Sequence, residues 1–157
     1  MSINCIRTLI EDANISHPQK VALVYGNEKL TYGELFTKVN QIALYLSELD
    51  LPKGSRIGIY SNKGIDQVIA ILATLSTNYV LVPLTKFLKP EQVEYIISDC
   101  DIKCIITDRV KIESIEEIKF NGHIISFFYK KILNSDIYPS IIMDYDYDIW
   151  TLGITQQ

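Results

Sequence analysis

Between Arg56 and Tyr129 the sequence alternates short, almost wholly apolar runs with segments whose apolar residues recur at helical spacing. Arg56 to Tyr60 reads as a strand. Ile65 to Leu75 reads as a helix with Ile65, Val68, Ile69, Leu72 and Leu75 inward, and Tyr79 to Leu84 as the next strand. Pro90 suits a first helical position, where its missing N–H would have had no partner. Val93, Ile96 and Ile97 then make the inner face of a short helix, and Cys104 to Thr107 a further strand. Ile112, Ile115 and Ile118, set amid glutamates, predict one more short helix, and Ile124 to Tyr129 one more strand. A strand apolar along its whole length must be covered on both faces, and each intervening helix makes a right-handed crossover. The pattern therefore predicts a parallel sheet with helices on both faces.

Upstream the period changes. Val21 to Tyr25 and Lys29-Leu30-Thr31 are β-type runs separated by Gly26-Asn27-Glu28, where Gly and Asn supply positive φ, so a hairpin is expected. Thr31-Tyr32-Gly33-Glu34 has the form of a capping box, which starts a helix at Tyr32. Leu35, Phe36, Val39, Ile42, Ala43, Leu46 and Leu49 supply its buried face, and Pro52 and Gly54 follow its end. The expected fold class is α/β: an N-terminal hairpin, then repeated βαβ units forming a mostly parallel sheet with helices on both faces, as a partial domain. Past Lys131 the periodicity weakens, and Asp144-Tyr145-Asp146-Tyr147-Asp148 is acidic and aromatic without a period. Residues 1–131 are thus expected to form the α/β subdomain and 132–157 a weakly structured or edge segment.

Composition narrows the function classes. Apolar residues at 48% and charged residues at 22% match ordinary globular usage and disfavour disorder. A net charge of −4 without any Lys/Arg-rich run removes the footprint that a phosphate backbone requires, so no nucleic-acid partner is expected. Cys5, Cys100 and Cys104 form no C-x-x-C pair and have no histidine at ligand spacing; they read as free thiols rather than a zinc site. Met1 to Asp12 alternate polar and apolar positions, with neither a basic start nor an apolar stretch of signal-peptide type. No apolar run reaches the ~18 residues of a membrane span, which leaves a cytoplasmic location as the default expectation.

Several motifs in order resemble one family. Leu30-Thr31-Tyr32-Gly33-Glu34-Leu35 resembles the L-T-Y-x-E-L signature of AMP-forming adenylate-forming enzymes, which include acyl-CoA synthetases, amino-acid adenylation domains of peptide synthetases and luciferases. Lys53-Gly54-Ser55-Arg56-Ile57-Gly58-Ile59 is similar to its K-G-D-R-V-A-I strand entry. Leu72-Ala73-Thr74-Leu75 and Tyr79 to Leu84 resemble its L-A-x-L helix and x-x-V-P-L strand, and Pro90 to Asp108 the helix and strand that follow. Where the family has a small A-G or G-G pair, this chain has Ser76-Thr77-Asn78, and Asn78 is expected to replace glycine at a left-handed helix stop.

The resemblance implies ATP-dependent activation of a carboxylic or amino acid as acyl-AMP, then transfer to a thiol of coenzyme A or a carrier protein. ATP and magnesium are implied for the complete enzyme, with none bound by this fragment. The family's Ser/Thr/Gly-rich phosphate loop, acidic ribose and magnesium residues, and C-terminal lysine lie further on, so no catalytic, cofactor-binding or metal residue is assigned here. Trp150-Thr151-Leu152-Gly153-Ile154-Thr155-Gln156 aligns with Y-T-S-G-T-T-G at Thr151, Gly153 and Thr155. Leu152 and Ile154, however, stand where hydroxyl residues would face phosphate. The expectation is a truncated ligase, inactive alone, that self-associates through an exposed sheet edge.

Other constellations carry less. The seven glycines contain no G-x-G-x-x-G turn. Ser61-Asn62-Lys63-Gly64 follows a strand and opens a helix, and so serves either as an anion cradle or as a plain N-terminal cap. His17 and His123 have no nearby nucleophile or acid motif, and Asp99, Asp101 and Asp108 flank a strand as either magnesium ligands or turn formers. Two other readings stay open: a non-catalytic binding or assembly module that pairs with a separately encoded remainder or a carrier protein, and an unrelated small α/β domain alike in fold only.

Overall fold

The computed structural model describes residues 6–118, 120–128 and 148–152. They gather into two compact units, one of residues up to Ser55 together with Lys63–Leu81, the other of Arg56–Asn62 together with Val82 onward.

The first unit contains α1 (Ile6–Ser16), β1 (Val21–Tyr25), β2 (Glu28–Thr31), α2 (Tyr32–Glu48) and α3 (Ile65–Leu75). The hairpin forms with a two-residue loop, since Tyr25 pairs with Glu28, and Gly26 at φ +58° supplies the left-handed step. The capping box is present: Thr31 Oγ1 accepts the Glu34 N–H at 3.3 Å and Glu34 Oε2 accepts the Thr31 N–H at 2.8 Å. Those bonds, from the Thr31 backbone first, hold the Glu34 carboxyl below the usual carboxylate range. Leu35, Val39, Ile42, Ala43, Tyr45 and Leu46 are the buried residues of α2, which packs with α1 and α3. α1 has no counterpart among the elements expected from the sequence, yet Ile6, Leu9, Ile10 and Ala13 fit a helical period, with Ile10 buried.

α3 is rotated from its expected orientation. Its buried residues are Ile65, Ile69, Ala70, Ala73 and Thr74, whereas Val68 and Leu72 are half-buried and Leu75 is 44% exposed. The small Ala70 and Ala73 allow close approach of a neighbouring helix, and Thr74 satisfies its buried hydroxyl by donating to the Ala70 carbonyl at 2.8 Å. The helix stop also differs. Asn78 is not left-handed. Instead the Ser76 hydroxyl donates to the Leu72 carbonyl at 2.7 Å, the Thr77 hydroxyl to the Thr74 carbonyl at 2.6 Å, and the Thr77 Oγ1 accepts the Tyr79 N–H at 3.1 Å. The Leu72 and Thr74 carbonyls also accept the Ser76 and Thr77 N–H groups at 3.0 and 3.1 Å, so the hydroxyls reinforce a stop that the backbone makes without a left-handed residue.

The second sheet contains β3 (Arg56–Tyr60), β4 (Val80–Leu84), β5 (Ile102–Asp108), β6 (His123–Phe128) and β7 (Asp148–Leu152), in the order β4-β3-β5-β6-β7. β3, β5 and β6 pair in parallel and β7 antiparallel to β6, so the sheet is mostly parallel, as expected. α4 (Pro90–Asp99) and α5 (Arg109–Glu117) supply Val93 and Ile115 to a core with Tyr60, Leu84, Ile102, Ile105, Ile118, Phe120 and Ile124. The register shifts between Arg56 and Ile57, so that Ile102 and Cys104 face successive residues of β3 and Lys103 is an exposed extra residue. That bulge lets Ile102 and Ile105 reach the same cluster. Gly122 has no room for a side chain: a Cβ there would meet the Phe120 ring and come within 2.5 Å of the Lys103 carbonyl oxygen.

Of the segment expected to be weakly structured or an edge, residues 132–147 and 153–157 lie outside the described residues, as do Cys5, Tyr129 and Lys131. β7 is the described part, at one end of the sheet. Among the described residues no helix is long and apolar enough to cross a membrane.

Candidate functional site

In open α/β sheets, ligands bind beyond the carboxyl ends of the strands, where strand order reverses. Here the reversal falls between β3 and β5. Asp108, the last residue of β5, fills that position from within. One oxygen caps α5 by accepting the Lys111 N–H at 2.9 Å, and the other accepts the Asn62 N–H, just past β3, at 2.5 Å. A carboxylate already holds the Asn62 amide that an anion would need. Ser61-Asn62-Lys63-Gly64 is held through the Asn62 amide, while Gly64 at the start of α3 makes no side-chain cap and Asp66 lies in the first turn of the helix. The start of α2 is equally occupied, the Tyr32 and Gly33 N–H groups bonding the Lys20 and Pro18 carbonyls at 3.0 and 2.9 Å. The Asn62, Lys111, Tyr32 and Gly33 amides thus all have partners within the chain.

The other candidates are dispersed. Asp101 pairs with Lys103 at 2.6 Å and Arg56 at 3.2 Å before the amino end of β5. At about 3.3 Å per residue it lies roughly 20 Å from Asp108, so the two share no metal ion. Among the described residues no group of His, Cys, Asp or Glu is placed to hold a metal. His17 sits in the turn after α1, its N–H bonded to the Ala13 carbonyl, and His123 begins β6. Cys104 is fully buried, which pushes its thiol up and away from the thiolate, and Cys100 is half-buried. Ser126, buried on β6 beside Thr107, has no hydrogen-bond partner for its hydroxyl among the described residues.

The carboxyl-end rim also presents a basic, aromatic loop after β4. Thr85 organises it: its Oγ1 accepts the Phe87 N–H at 3.5 Å and its carbonyl the Leu88 N–H at 3.2 Å. The Tyr60 hydroxyl donates to the Leu88 carbonyl at 3.3 Å, Lys111 Nζ donates to the Lys86 carbonyl at 2.8 Å, and Gln92 Oε1 accepts the Lys89 N–H at 2.9 Å. Lys111 Nζ lies 5.2 Å from the Tyr60 ring centre and Lys86 Nζ 5.2 Å from that of Phe87. Sequence reading passes over Lys86, Phe87 and Lys111, because only the long-range bonds to Tyr60 and between the two lysines bring them together.

Trp150, Thr151 and Leu152 lie in β7, while Gly153 to Gln156 are outside the described residues. The motif order has independent support. Over 155 residues, 96% of the chain, it is 34% identical to gramicidin S synthase 1 of Brevibacillus brevis, and covers 14% of that protein. It is 31% identical over 109 residues, 69% of the chain, to a medium/long-chain fatty-acid and 3-oxocholest-4-en-26-oate CoA ligase of Mycolicibacterium smegmatis, covering 20% of it. The fold resembles an artificially fused adenylation–PCP di-domain from Klebsiella oxytoca, with a TM-score of 0.68 at 21% identity over 78% of this chain and 22% of that one. The model for AMP-binding enzymes matches residues 10–135, and the chain belongs to that family.

Proposed function

We propose that these residues form the early scaffold of an adenylating enzyme that activates a carboxylic or amino acid with ATP and magnesium as acyl-AMP, then forms a thioester with coenzyme A or a carrier protein. The observation that carries this reading is the match of residues 10–135 to the AMP-binding family. The described residues build the sheet and its connections rather than the nucleotide site, since Asp108 holds the Asn62 amide that an anion would take. The work is that of a cytoplasmic enzyme. A chimera tests it: residues 10–128 replace the matching stretch of gramicidin S synthase 1, and amino-acid-dependent exchange of pyrophosphate into ATP is measured. Exchange is expected in the chimera and not in the 157-residue chain alone. A folded chimera without exchange, or exchange by the chain alone, overturns the scaffold reading. Leu152 and Ile154, which align with hydroxyl residues of the family's phosphate loop, favour a second reading in which the chain is a non-catalytic assembly module; on that reading a graft extended through residue 156 loses the exchange that the 10–128 graft keeps.

A further inference from the structure

We infer that Asn121-Gly122 is a site of spontaneous deamidation and isomerisation, and that the isomerised form loosens the pairing of β6 with β5. Asn121 lies exposed in the connection between α5 and β6, and it is the one asparagine of the chain that glycine follows. Glycine matters because the reaction takes place on its nitrogen: a side chain there would crowd the approaching carboxamide, and glycine has none. The Gly122 amide nitrogen attacks Cγ of Asn121. A C–N bond forms, the Cγ–Nδ2 bond breaks, and the nitrogen's proton leaves with the departing group as ammonia. Water then opens the resulting succinimide at one of two bonds. Cleavage at Cγ gives aspartate with the ordinary backbone, whereas cleavage at the backbone carbonyl of residue 121 gives isoaspartate, in which the chain runs through Cβ and Cγ. Both reacting groups belong to one dipeptide, and the only co-reactant is water.

The two products differ in what they do to the fold, because Gly122 sits between two fixed points. Phe120 is buried at 6% exposure in the core with Ile118 and Ile124, and His123 pairs with Cys104 as the first rung of β6 on β5. The Phe120 ring and the Lys103 carbonyl oxygen already fill the space that a Cβ on Gly122 would occupy. Isoaspartate adds one bond to the backbone of this link, a length of about 1.5 Å. With no room at Gly122, that length is taken up by withdrawing Phe120 from the core or by moving His123 off Cys104, and either step frees the start of β6. Aspartate keeps the backbone length and places its charge at an exposed position, so it leaves the pairing intact.

The test incubates the 157-residue chain in mildly alkaline buffer at physiological temperature, beside a synthetic peptide of residues 117–126. Asn27, exposed but followed by Glu28, is the internal control. Mass spectrometry after proteolysis is expected to show a gain of about 1 Da at Asn121 and none at Asn27. Methylation by an isoaspartyl methyltransferase identifies the isomerised form. Once that form is separated by chromatography, its amide hydrogen exchange is expected to be faster at residues 123–126 and at Cys104 and Ile105 than in the unmodified chain. Freshly purified Asn121→Asp should exchange at the unmodified rate, and Asn121→Gln, whose longer side chain closes the ring poorly, should lose the modification. An Asn121 that stays intact while the peptide converts, an equal mass gain at Asn27, or an isoaspartyl chain with unchanged exchange in β6 overturns the proposal.

Discussion

Asp101 and Asp108 bracket the same strand, β5, and are used in opposite ways. Asp101, left-handed at φ +50°, makes a turn and meets Lys103 and Arg56, all of them solvent-accessible. Its carboxyl is held below the usual range first by the Lys103 hydrogen bond, with the Lys103 and Arg56 charges adding to it. Asp108 accepts backbone N–H groups from two segments, one past β3 and one opening α5. Water competes with the first arrangement and screens it, whereas the second fixes where two connections lie. An acid bonded to main chain thus determines geometry in a way that an acid bonded to flexible cations does not.

Three measurements break or sharpen the contrast. Ile105→Ala, at the fully buried centre of β5, should cost about 2–5 kcal/mol in urea unfolding and sets the scale for the strand. Asp108→Ala should cost about 1–2 kcal/mol through loss of the α5 cap, with faster hydrogen exchange at Asn62 and Lys111, and Asp108→Asn should restore most of it. If Asp101→Gly, which keeps the left-handed turn, destabilises as much as Asp108→Ala, the contrast fails. The smallest effect is expected in acid. Because the folded pKa of Asp101 is depressed, its contribution is complete above the ordinary aspartate value and fades as pH falls through the lowered one. Lys103→Ala should raise the Asp101 carboxyl pKa measured by carbon NMR; an unchanged value would assign the depression to Arg56.

Legibility followed the range of the interactions. The capping box at Thr31 and Glu34, the proline start of α4 and the apolar strands β3 and β5 depend on residues a few positions apart, and the sequence shows them directly. The orientation of α3 depended on which neighbour claimed its small face, so the larger Leu72 and Leu75 were misleading guides. The Asp108 bonds link residues 46 apart at one end and three at the other; only the second could be read from spacing. The exposure of Phe87, which lies between Lys86 and Leu88, belongs to the assembled loop and not to the residue type.

The hydroxyl stop after α3 has a consequence for the chain before it folds. A glycine at that position would end the helix at little steric cost but would widen the range of backbone conformations open to the denatured chain. Ser76 and Thr77 end the helix by bonding the Leu72 and Thr74 carbonyls with both side chain and backbone N–H, and each is more restricted than glycine in the denatured state. The stop therefore lowers the entropy lost on folding, so that a return to Gly-Gly would act mainly by loosening the denatured chain.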